Sequence, residues 1–108
     1  MEIIVTDEFK RCAKPLAKRY KSFNRDYQDL LDELERNPRL GIDLGNGYRK
    51  VRMAIKSKGK GKSGGARVIT LDTLECDGCL YLLIIYDKPD TDSVDLGVIK
   101  KTLSDMGL

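Results

Sequence analysis

Apolar residues in the first third of the chain are spaced as in an amphipathic helix that follows a short strand over residues 2–5. Thr6 can cap this helix, because a threonine hydroxyl accepts a hydrogen bond from a free N–H of the first turn. The apolar face consists of residues at positions i, i+4, i+7 and i+11, namely Phe9, Ala13, Leu16 and Tyr20. Pro15 lies inside the pattern and lacks a backbone N–H, so we expect a kink or two short helical pieces.

A second helix is predicted to begin at Ser22 or Asn24 and to end at Asn37-Pro38, where proline prevents its continuation. The residues expected to be buried on it are Tyr27, Leu30, Leu31 and Leu34. The short connection between the two helices predicts a helical hairpin. A glycine-rich connection into the first long strand is indicated by Gly41, Gly45 and Gly47.

Residues 48–55 alternate in polarity, which predicts a half-buried antiparallel strand with its apolar side on the helices and its basic side open. The expected inward residues are Val51, Met53 and Ile55, and the expected outward residues are Tyr48, Lys50, Arg52 and Ala54. Two further strands are predicted over residues 67–72 and 80–87, joined by the favoured hairpin pair Asp77-Gly78. Residues 56–65 are rich in Lys, Gly and Ser, so we expect a flexible loop that does not pack.

A C-terminal helix capped by Asp92 or Ser93 completes the predicted order β-α-α-β-β-β-α, which is an α+β fold class. The apolar residues of this helix are Val94, Val98, Ile99, Leu103 and Met106. The chain of 108 residues contains no internal repeat and no sign of a second domain. We therefore expect a single domain over residues 1–108.

Composition excludes several classes of protein. The longest apolar run, residues 80–86, is far shorter than the roughly 20 residues that span a bilayer, so no membrane association is expected. The N-terminus lacks the positive charge of a signal peptide, and three cysteines in a chain of this size fit a reducing compartment, so we expect a cytoplasmic location. The absence of histidine excludes Ser-His-Asp triads, Cys-His pairs and histidine metal sites.

The net charge of +3 hides a segregation of charge along the chain. Residues 48–67 contain eight Lys or Arg and no acid, and residues 10–25 contain seven Lys or Arg and no acid. The rest of the chain holds five basic and 17 acidic residues. A solvated surface normally mixes the two signs, so two acid-free basic segments favour a polyanionic partner such as RNA or DNA.

Two short motifs match known sites but fail in their context. Residues 59–64 read GKGKSG, which has the letters of a dinucleotide-binding GxGxxG and of the end of a P-loop. Both motifs need a helix to follow, and here a strand is predicted. Cys76 and Cys79 form one CxxC without a second pair or a histidine, so they cannot complete a four-ligand zinc site. They are interpreted as small side chains at the end of a strand pair.

Basic and tyrosine side chains gather on neighbouring strands of the predicted sheet. Antiparallel pairing across residues 56–65 brings the Arg52 region beside Arg67. Guanidinium groups bind phosphate bidentately and stabilise the negative charge that develops on a pentavalent phosphorus, and a lysine among other cations can act as a base near neutral pH. This array indicates either phosphoryl chemistry or a face that binds RNA or DNA without chemistry.

Three runs of sequence lie between residues 9 and 94: FKRCAKPLAKRYKSFNRDYQDLLDEL, NPRLGIDLGNGYRKVRMAIKSKGKGKSGGARVITL and LYLLIIYDKPDTDSV. Their most specific part is GxGxRKxRxA followed by GKGKSGGARVI. In these runs the chain resembles the RelE/ParE superfamily of toxins, specifically its HigB-like RelE branch. The resemblance implies a RelE-like fold, in which a small antiparallel sheet packs against an N-terminal helical hairpin and a C-terminal helix. It also implies the toxin of a type II toxin–antitoxin system, a ribosome-dependent mRNA endoribonuclease that uses no metal.

The resemblance assigns a role to each matching position. Lys50 and Arg52 take base and phosphate-binding roles, Arg67 stabilises the transition state, and Lys88 is the candidate acid for the 5′-oxygen leaving group. RelE itself uses a tyrosine in its C-terminal segment, whereas residues 89–108 contain none, so Tyr86 or Tyr48 becomes the candidate for stacking on a base. The candidate catalytic residues are Lys50, Arg52, Arg67, Tyr86 and Lys88. The candidate RNA-binding residues are Tyr48, Arg49, Lys56, Lys58, Lys60, Lys62, Lys14 and Lys18.

The expected partners are mRNA, the ribosome and a cognate antitoxin with a helix-turn-helix DNA-binding domain. No metal or small-molecule cofactor is expected. Two other functions remain open at this point. One is a ParE-like inhibitor of a topoisomerase, which would not need phosphate ligands on its strands, and the other is a non-catalytic RNA-binding protein.

Overall fold

The structure, a computed structural model, describes residues 1–88 and Ser104. In this part of the chain it is an α+β fold around one five-stranded sheet. The strands are β1 (Glu2–Val5), β2 (Ile42–Gly45), β3 (Tyr48–Met53), β4 (Ala66–Thr73) and β5 (Cys79–Asp87). The helices are α1 (Asp7–Arg19), α2 (Phe23–Arg36) and the single-turn helices α3 (Gly61–Gly64) and α4 (Leu74–Asp77), with a 3-10 turn at Lys56–Lys58. The predicted C-terminal helix lies outside the described residues.

The sheet is mixed, and the expectation of a purely antiparallel sheet is wrong. Its strand order is β1-β5-β4-β3-β2, with β1 parallel to β5 and every other pair antiparallel. Thr6 directly follows β1, and its hydroxyl donates to the carbonyl oxygens of Leu82 and Leu83 on β5. The partner of β1 thus lies more than 70 residues away. A strand of four residues carries no local signal for the direction of so distant a pairing.

The glycine-rich connection before β3 contains a strand that the sequence interpretation missed. Residues Ile42–Gly45 form β2, which pairs antiparallel with β3 through the two-residue turn Asn46-Gly47. Both turn residues have positive φ, 56° at Asn46 and 86° at Gly47, as a type I′ hairpin requires. The Asn-Gly pair was therefore the signal that could have revealed β2.

The predicted two-residue hairpin at Asp77-Gly78 is wrong. The chain between β4 and β5 instead forms the single-turn helix α4, and Gly78 ends it with a left-handed φ of 72°. The Asp77 carboxylate accepts hydrogen bonds from the Thr73 hydroxyl at 2.6 Å and from the Cys79 N–H at 3.0 Å. These bonds lower the pKa of Asp77, the bond from Thr73 contributing most. The aspartate side chain therefore closes a wider turn than its neighbouring glycine suggested.

The two long helices lie where the apolar spacing places them. Thr6 caps α1 as predicted, and its hydroxyl accepts from the Phe9 N–H at 3.1 Å. The kink or break expected at Pro15 is wrong, because α1 runs uninterrupted from Asp7 to Arg19. Pro15 is exposed, so its ring points into solvent and the helix loses only the one hydrogen bond that its missing N–H would have made.

The main core lies between the helices and one face of the sheet. It contains buried apolar side chains of both helices and of β3, β4 and β5. Its largest members include Phe9, Leu30, Leu34, Ile55, Leu80 and Leu82. Of the predicted α2 stripe, Leu30 and Leu34 are buried, whereas Tyr27 and Leu31 are half-buried. No helix within residues 1–88 is both long and apolar enough to cross a membrane.

The opposite face of the sheet is not the open basic face that was expected. Ile69, Leu83 and Ile84 form a second buried cluster there, with Tyr48 and Tyr86 packed against it. A β-bulge between β4 and β5 moves the pairing from Ile69↔Ile84 to Thr70↔Leu82, so Leu83 is left without a partner on β4. Lys50 and Arg52 of β3 therefore stand beside an apolar cluster on this face.

Residues 56–65 pack against the fold, contrary to the expectation of a free loop. The buried Asp26 carboxylate accepts from the Lys56 N–H at 3.0 Å, and the Ser22 hydroxyl accepts from the Ser57 N–H at 2.8 Å. At the other end of the segment, the Lys88 N–H donates to the Gly65 carbonyl at 3.1 Å. The segment is therefore attached to the start of α2 and to the end of β5.

We expect Gly65→Ala to destabilise the fold by about 3 kcal/mol, the upper end of the range for overpacking. A Cβ at this position would overlap the carbonyl oxygen of Met53 and approach the Ala54 Cα to 3.0 Å. The matched control is Gly59→Ala, whose Cβ would meet no atom within 4 Å. It should lose only about 1 kcal/mol of stability, because an alanine is strained at a φ of 70°. Urea unfolding of both variants measures the difference, and equal losses would contradict the packing of this segment.

Candidate nucleic-acid interface

The register of the central strands places three candidate residues in one row across the sheet. Arg52 on β3 lies opposite Arg67 on β4, and Arg67 lies opposite Tyr86 on β5. Directly opposed residues of antiparallel strands point to the same face with their Cβ atoms about 5 Å apart. The predicted proximity of Arg52 and Arg67 is confirmed. We refer to Arg52, Arg67 and Tyr86 as the cross-strand row.

Arg67, the middle member of the row, has a buried guanidinium group that bonds to the protein's own backbone. Arg67 is only 2% exposed. The guanidinium donates to the carbonyl oxygens of Lys62 and Ala66 at 3.1 Å and of Ser63 at 3.0 Å. Arg67 thereby holds the segment that contains α3 against β4. Its contact with a phosphate, which the resemblance implies, stays a prediction.

Arg52 and Lys50 are the cations of β3 that can reach a ligand on this face. They are two positions apart on the strand and so point to the same side. Lys50 lies opposite Ile69, at the edge of the second apolar cluster. Arg52 is exposed and Lys50 is half-buried. Neither forms an ion pair with another residue in the range 1–88. Among the described residues, therefore, no carboxylate competes with an external anion for their charge.

Tyrosine and lysine side chains border this pair of cations. Tyr48 begins β3 on the same face, and Tyr86 ends the row, both half-buried against the second apolar cluster. Lys88 follows two residues after Tyr86 and is also half-buried. The structure therefore places Lys50, Arg52, Arg67 and Tyr86 on one face of three neighbouring strands, with Lys88 directly after the end of β5.

Lys58 faces a carboxylate of the same chain. Its Nζ lies 2.6 Å from Asp87 Oδ1 and 5.4 Å from the centre of the Tyr20 ring, and its side chain is 14% exposed. Asp87 Oδ2 also accepts from the Tyr20 hydroxyl at 2.6 Å and from Arg19 at 3.3 Å. Burial raises the pKa of Asp87, but the hydrogen bonds from Lys58 and Tyr20 and the nearby positive charges outweigh it and lower the pKa overall. Lys58 is therefore part of an ionic cluster that ties residues 56–65 to β5.

Three more of the predicted RNA-binding cations have acidic partners. Lys56 and Lys62 lie 3.7 Å and 3.1 Å from carboxylate oxygens of α2, and Arg49 lies 2.9 Å from one on β4. The partners are Asp29, Glu33 and Asp72, respectively. The pairs of Lys56 and Lys62 are on the surface, where an ion pair contributes little and a phosphate can replace the carboxylate. Folding thus neutralises much of the positive charge that the sequence concentrates in residues 48–67.

The remaining predicted RNA-binding lysines are exposed and lie in two places. Lys60 lies between the 3-10 turn and α3, whereas Lys14 and Lys18 lie on α1. None of the three forms an ion pair within residues 1–88. Helix α1 packs on the face of the sheet opposite the cross-strand row. The structure therefore does not bring Lys14 and Lys18 together with the row.

The sequence interpretation missed the acids that organise the basic segment. The buried Asp26 accepts from the backbone N–H of Lys56, and the half-buried Asp87 accepts from the ammonium group of Lys58. Neither carboxylate stands in a motif, since each lies about 30 residues from its partner. The cysteines form no disulfide, and within the described residues no group of three or more Cys, Asp or Glu side chains could hold a metal ion.

Asp87→Asn is expected to change the pH dependence of stability. Because the pKa of Asp87 is lowered in the folded state, its charge stabilises the fold above the ordinary carboxyl pKa of 3.8, and this stabilisation is lost as the pH falls further. The wild-type chain should therefore lose stability faster than Asp87→Asn below about pH 4, and be the more stable of the two at pH 7. Urea unfolding from pH 7 to pH 3 tests this, with the exposed Asp32→Asn as control. Parallel curves for wild type and Asp87→Asn would contradict the ionic cluster.

No protein-family model matches this chain. The resemblance to the RelE/ParE superfamily therefore rests on the sequence runs quoted above and stays a prediction. The geometry of the site is independent of it: two cations without ion pairs among residues 1–88 stand on one strand face, next to a buried arginine and between two tyrosines.

Proposed function

We propose that this protein is the toxin of a type II toxin–antitoxin system, a metal-independent endoribonuclease that cleaves mRNA on the ribosome. The observation that carries the proposal is the cross-strand row, in which Arg52, Arg67 and Tyr86 stand side by side with Lys50 next to them. The Arg67 guanidinium bonds to backbone carbonyls, so the exposed Arg52 and its neighbour Lys50 supply the positive charge of this face. Two cations on one strand face, beside an aromatic ring, are suited to receive a phosphate.

The reaction that fits these groups is an internal phosphoryl transfer. A ribose 2′-oxygen attacks the adjacent phosphorus, the bond from phosphorus to the 5′-oxygen breaks, and the products are a 2′,3′-cyclic phosphate and a 5′-hydroxyl. The 2′-hydroxyl proton goes to a base, for which Lys50 is the candidate, and the 5′-oxygen takes a proton from an acid, for which Lys88 is the candidate. The exposed Arg52 guanidinium would hold the phosphate oxygens as their negative charge increases.

We assign Arg67 a positioning role in this reaction. Its guanidinium donates three hydrogen bonds to backbone carbonyls, so it fixes the segment that follows Arg52 in the chain. Tyr86 beside it offers an aromatic face on which a base can stack. This division leaves Arg52 and Lys50 as the groups in contact with the substrate.

The substrate and partners follow from the same proposal. Ribosome-bound mRNA is a polyanion in the cytoplasm, which is where the toxin would act. The exposed Lys60 is placed to contact ribosomal or messenger RNA beside the site, whereas Lys14 and Lys18 lie on the helical side of the molecule, away from it. The cognate antitoxin is expected to be a protein with a helix-turn-helix DNA-binding domain.

A non-catalytic RNA-binding protein is the second candidate. The observation that favours it is the occupied guanidinium of Arg67, because a group already bonded to three carbonyls is not poised to stabilise a transition state. RNA binding through Arg52, Lys50 and the exposed lysines would not need it.

Arg52→Ala should reduce mRNA cleavage by about 100-fold or more, the usual effect of removing one donor to a developing oxyanion. The measurement is primer extension on translated mRNA after brief induction of the toxin. The melting temperature should be unchanged, because Arg52 is exposed and forms no ion pair within residues 1–88. Arg36→Ala, which removes an exposed arginine at the end of α2, is the matched control and should cut like wild type.

Arg67→Ala distinguishes positioning from direct catalysis. It should lower the stability of the fold by about 2–4 kcal/mol, since three buried or part-buried carbonyls lose their donor, and it should lower cleavage as well. Loss of cleavage with unchanged stability would instead make Arg67 a direct phosphate ligand. Induction of the wild-type protein separates the other functions. If transcripts stay intact while the protein binds RNA, the non-catalytic RNA-binding protein is favoured. If transcripts stay intact and DNA damage is induced, a ParE-like topoisomerase inhibitor is favoured.

A further inference from the structure

An apolar groove runs between α1 and α2 on the outer surface of the helical layer. Its volume is about 380 Å³. The floor is formed by Val5, Phe9, Phe23 and Tyr27, and the side chains along α1 are the small Ala13 and Ala17. The groove lies on the helical side of the molecule, whereas the cross-strand row lies on the other face of the sheet. It is therefore separate from the proposed RNA site.

The shape of the groove follows from residue size at helical spacing. Ala13 and Ala17 are one turn apart on α1, so α1 presents a low wall where a larger residue would fill the space. Phe23 and Tyr27 are one turn apart on α2, and their rings stack with centroids 6.3 Å apart. The centroid of the Tyr27 ring also lies 5.8 Å from that of Phe9, so the three rings pack together as the floor of the groove. Within residues 1–88 the groove is lined by two uninterrupted helices and by the end of β1.

The rim of the groove is positively charged. Lys10 and Lys14 line it directly. Further cations nearby in the chain are Lys18, Lys21 and Arg25, and residues 10–25 contain no acid. None of these five side chains forms an ion pair within residues 1–88, whereas Arg11 and Arg19 of the same helix do. A partner for this surface therefore needs negative charge as well as apolar side chains.

An amphipathic helix meets both requirements. Such a helix inserts apolar side chains spaced at i, i+3 or i+4 and i+7 into a groove between two helices, and acidic residues beside them would face the lysines on the rim. The phosphates of an RNA backbone could pair with the lysines on the rim, but they have no apolar groups to bury on the floor. We propose that the α1–α2 groove is the docking site for an acidic amphipathic helix of a partner protein.

The proposal is tested by panning a library of displayed random 16-residue peptides on the full chain. Enriched peptides should carry apolar residues at helical spacing and a net negative charge. As synthetic peptides they should bind wild type and lose at least tenfold in affinity for Ala17→Trp, which fills the groove from an exposed position. Their affinity should fall by a similar factor for Lys14→Glu and change little for Lys18→Glu. Lys18→Glu makes the same change of charge one turn further along α1, at a residue that does not line the groove.

Several outcomes would overturn the proposal. Enrichment of basic peptides, no enrichment, or equal binding to wild type and Ala17→Trp would each do so. Binding of a 12-nucleotide RNA serves as the comparison, because an RNA site on α1 would respond equally to Lys14→Glu and Lys18→Glu and would make the groove irrelevant. Melting temperatures of all three variants show that the fold is kept. The inference does not require that the chain cleave RNA, since Ala17→Trp leaves the cross-strand row untouched.

Discussion

The antiparallel register of β3, β4 and β5 is the constraint on which the candidate site depends. Side chains alternate between the two faces of a strand, so a shift of one residue would move every member of the cross-strand row into the main core. The observed register places Val51, Val68 and Ile85 on the helices and Arg52, Arg67 and Tyr86 on the opposite face. The burial of apolar side chains on the helical face therefore also fixes where the cations stand.

Charge is used in two different ways in the basic segment of residues 48–67. Arg67 and Lys58 are withdrawn from solvent and bond to carbonyl oxygens and to Asp87, so they stabilise the fold. Arg52 and Lys50 have no ion pair within residues 1–88 and keep their charge for a ligand. A run of cations that is uniform in the sequence thus separates into structural and available groups. The separation depends on where buried acids and carbonyls lie, since a desolvated cation requires a partner.

The two faces of the molecule offer different chemistry. The cross-strand row combines guanidinium and aromatic groups around an apolar centre, which suits phosphate and bases. The α1–α2 groove combines an apolar floor with ammonium groups on its rim, which suits an acidic helix. Because the sheet separates the two surfaces, the proposed RNA site and the proposed helix site do not overlap.

The amino-acid sequence by itself determined the features that arise within a few residues. The Thr6 cap, the apolar faces of α1 and α2 and the alternation of β3 follow from local spacing, and the Asn46-Gly47 turn was also readable there. The proximity of Arg52 and Arg67 was predictable because one hairpin joins their strands.

Only the tertiary structure decided the rest, and most of those features join residues far apart in the chain. The parallel pairing of β1 with β5, the attachment of residues 56–65 and the neutralisation of Lys58 all depend on groups 29 to 76 positions away. The bonding of Arg67 to the carbonyls of α3 depends on how that segment packs, which its own Lys, Gly and Ser composition does not record. Residue type indicates what chemistry a side chain can perform, whereas burial and distant partners decide whether it remains available to perform it.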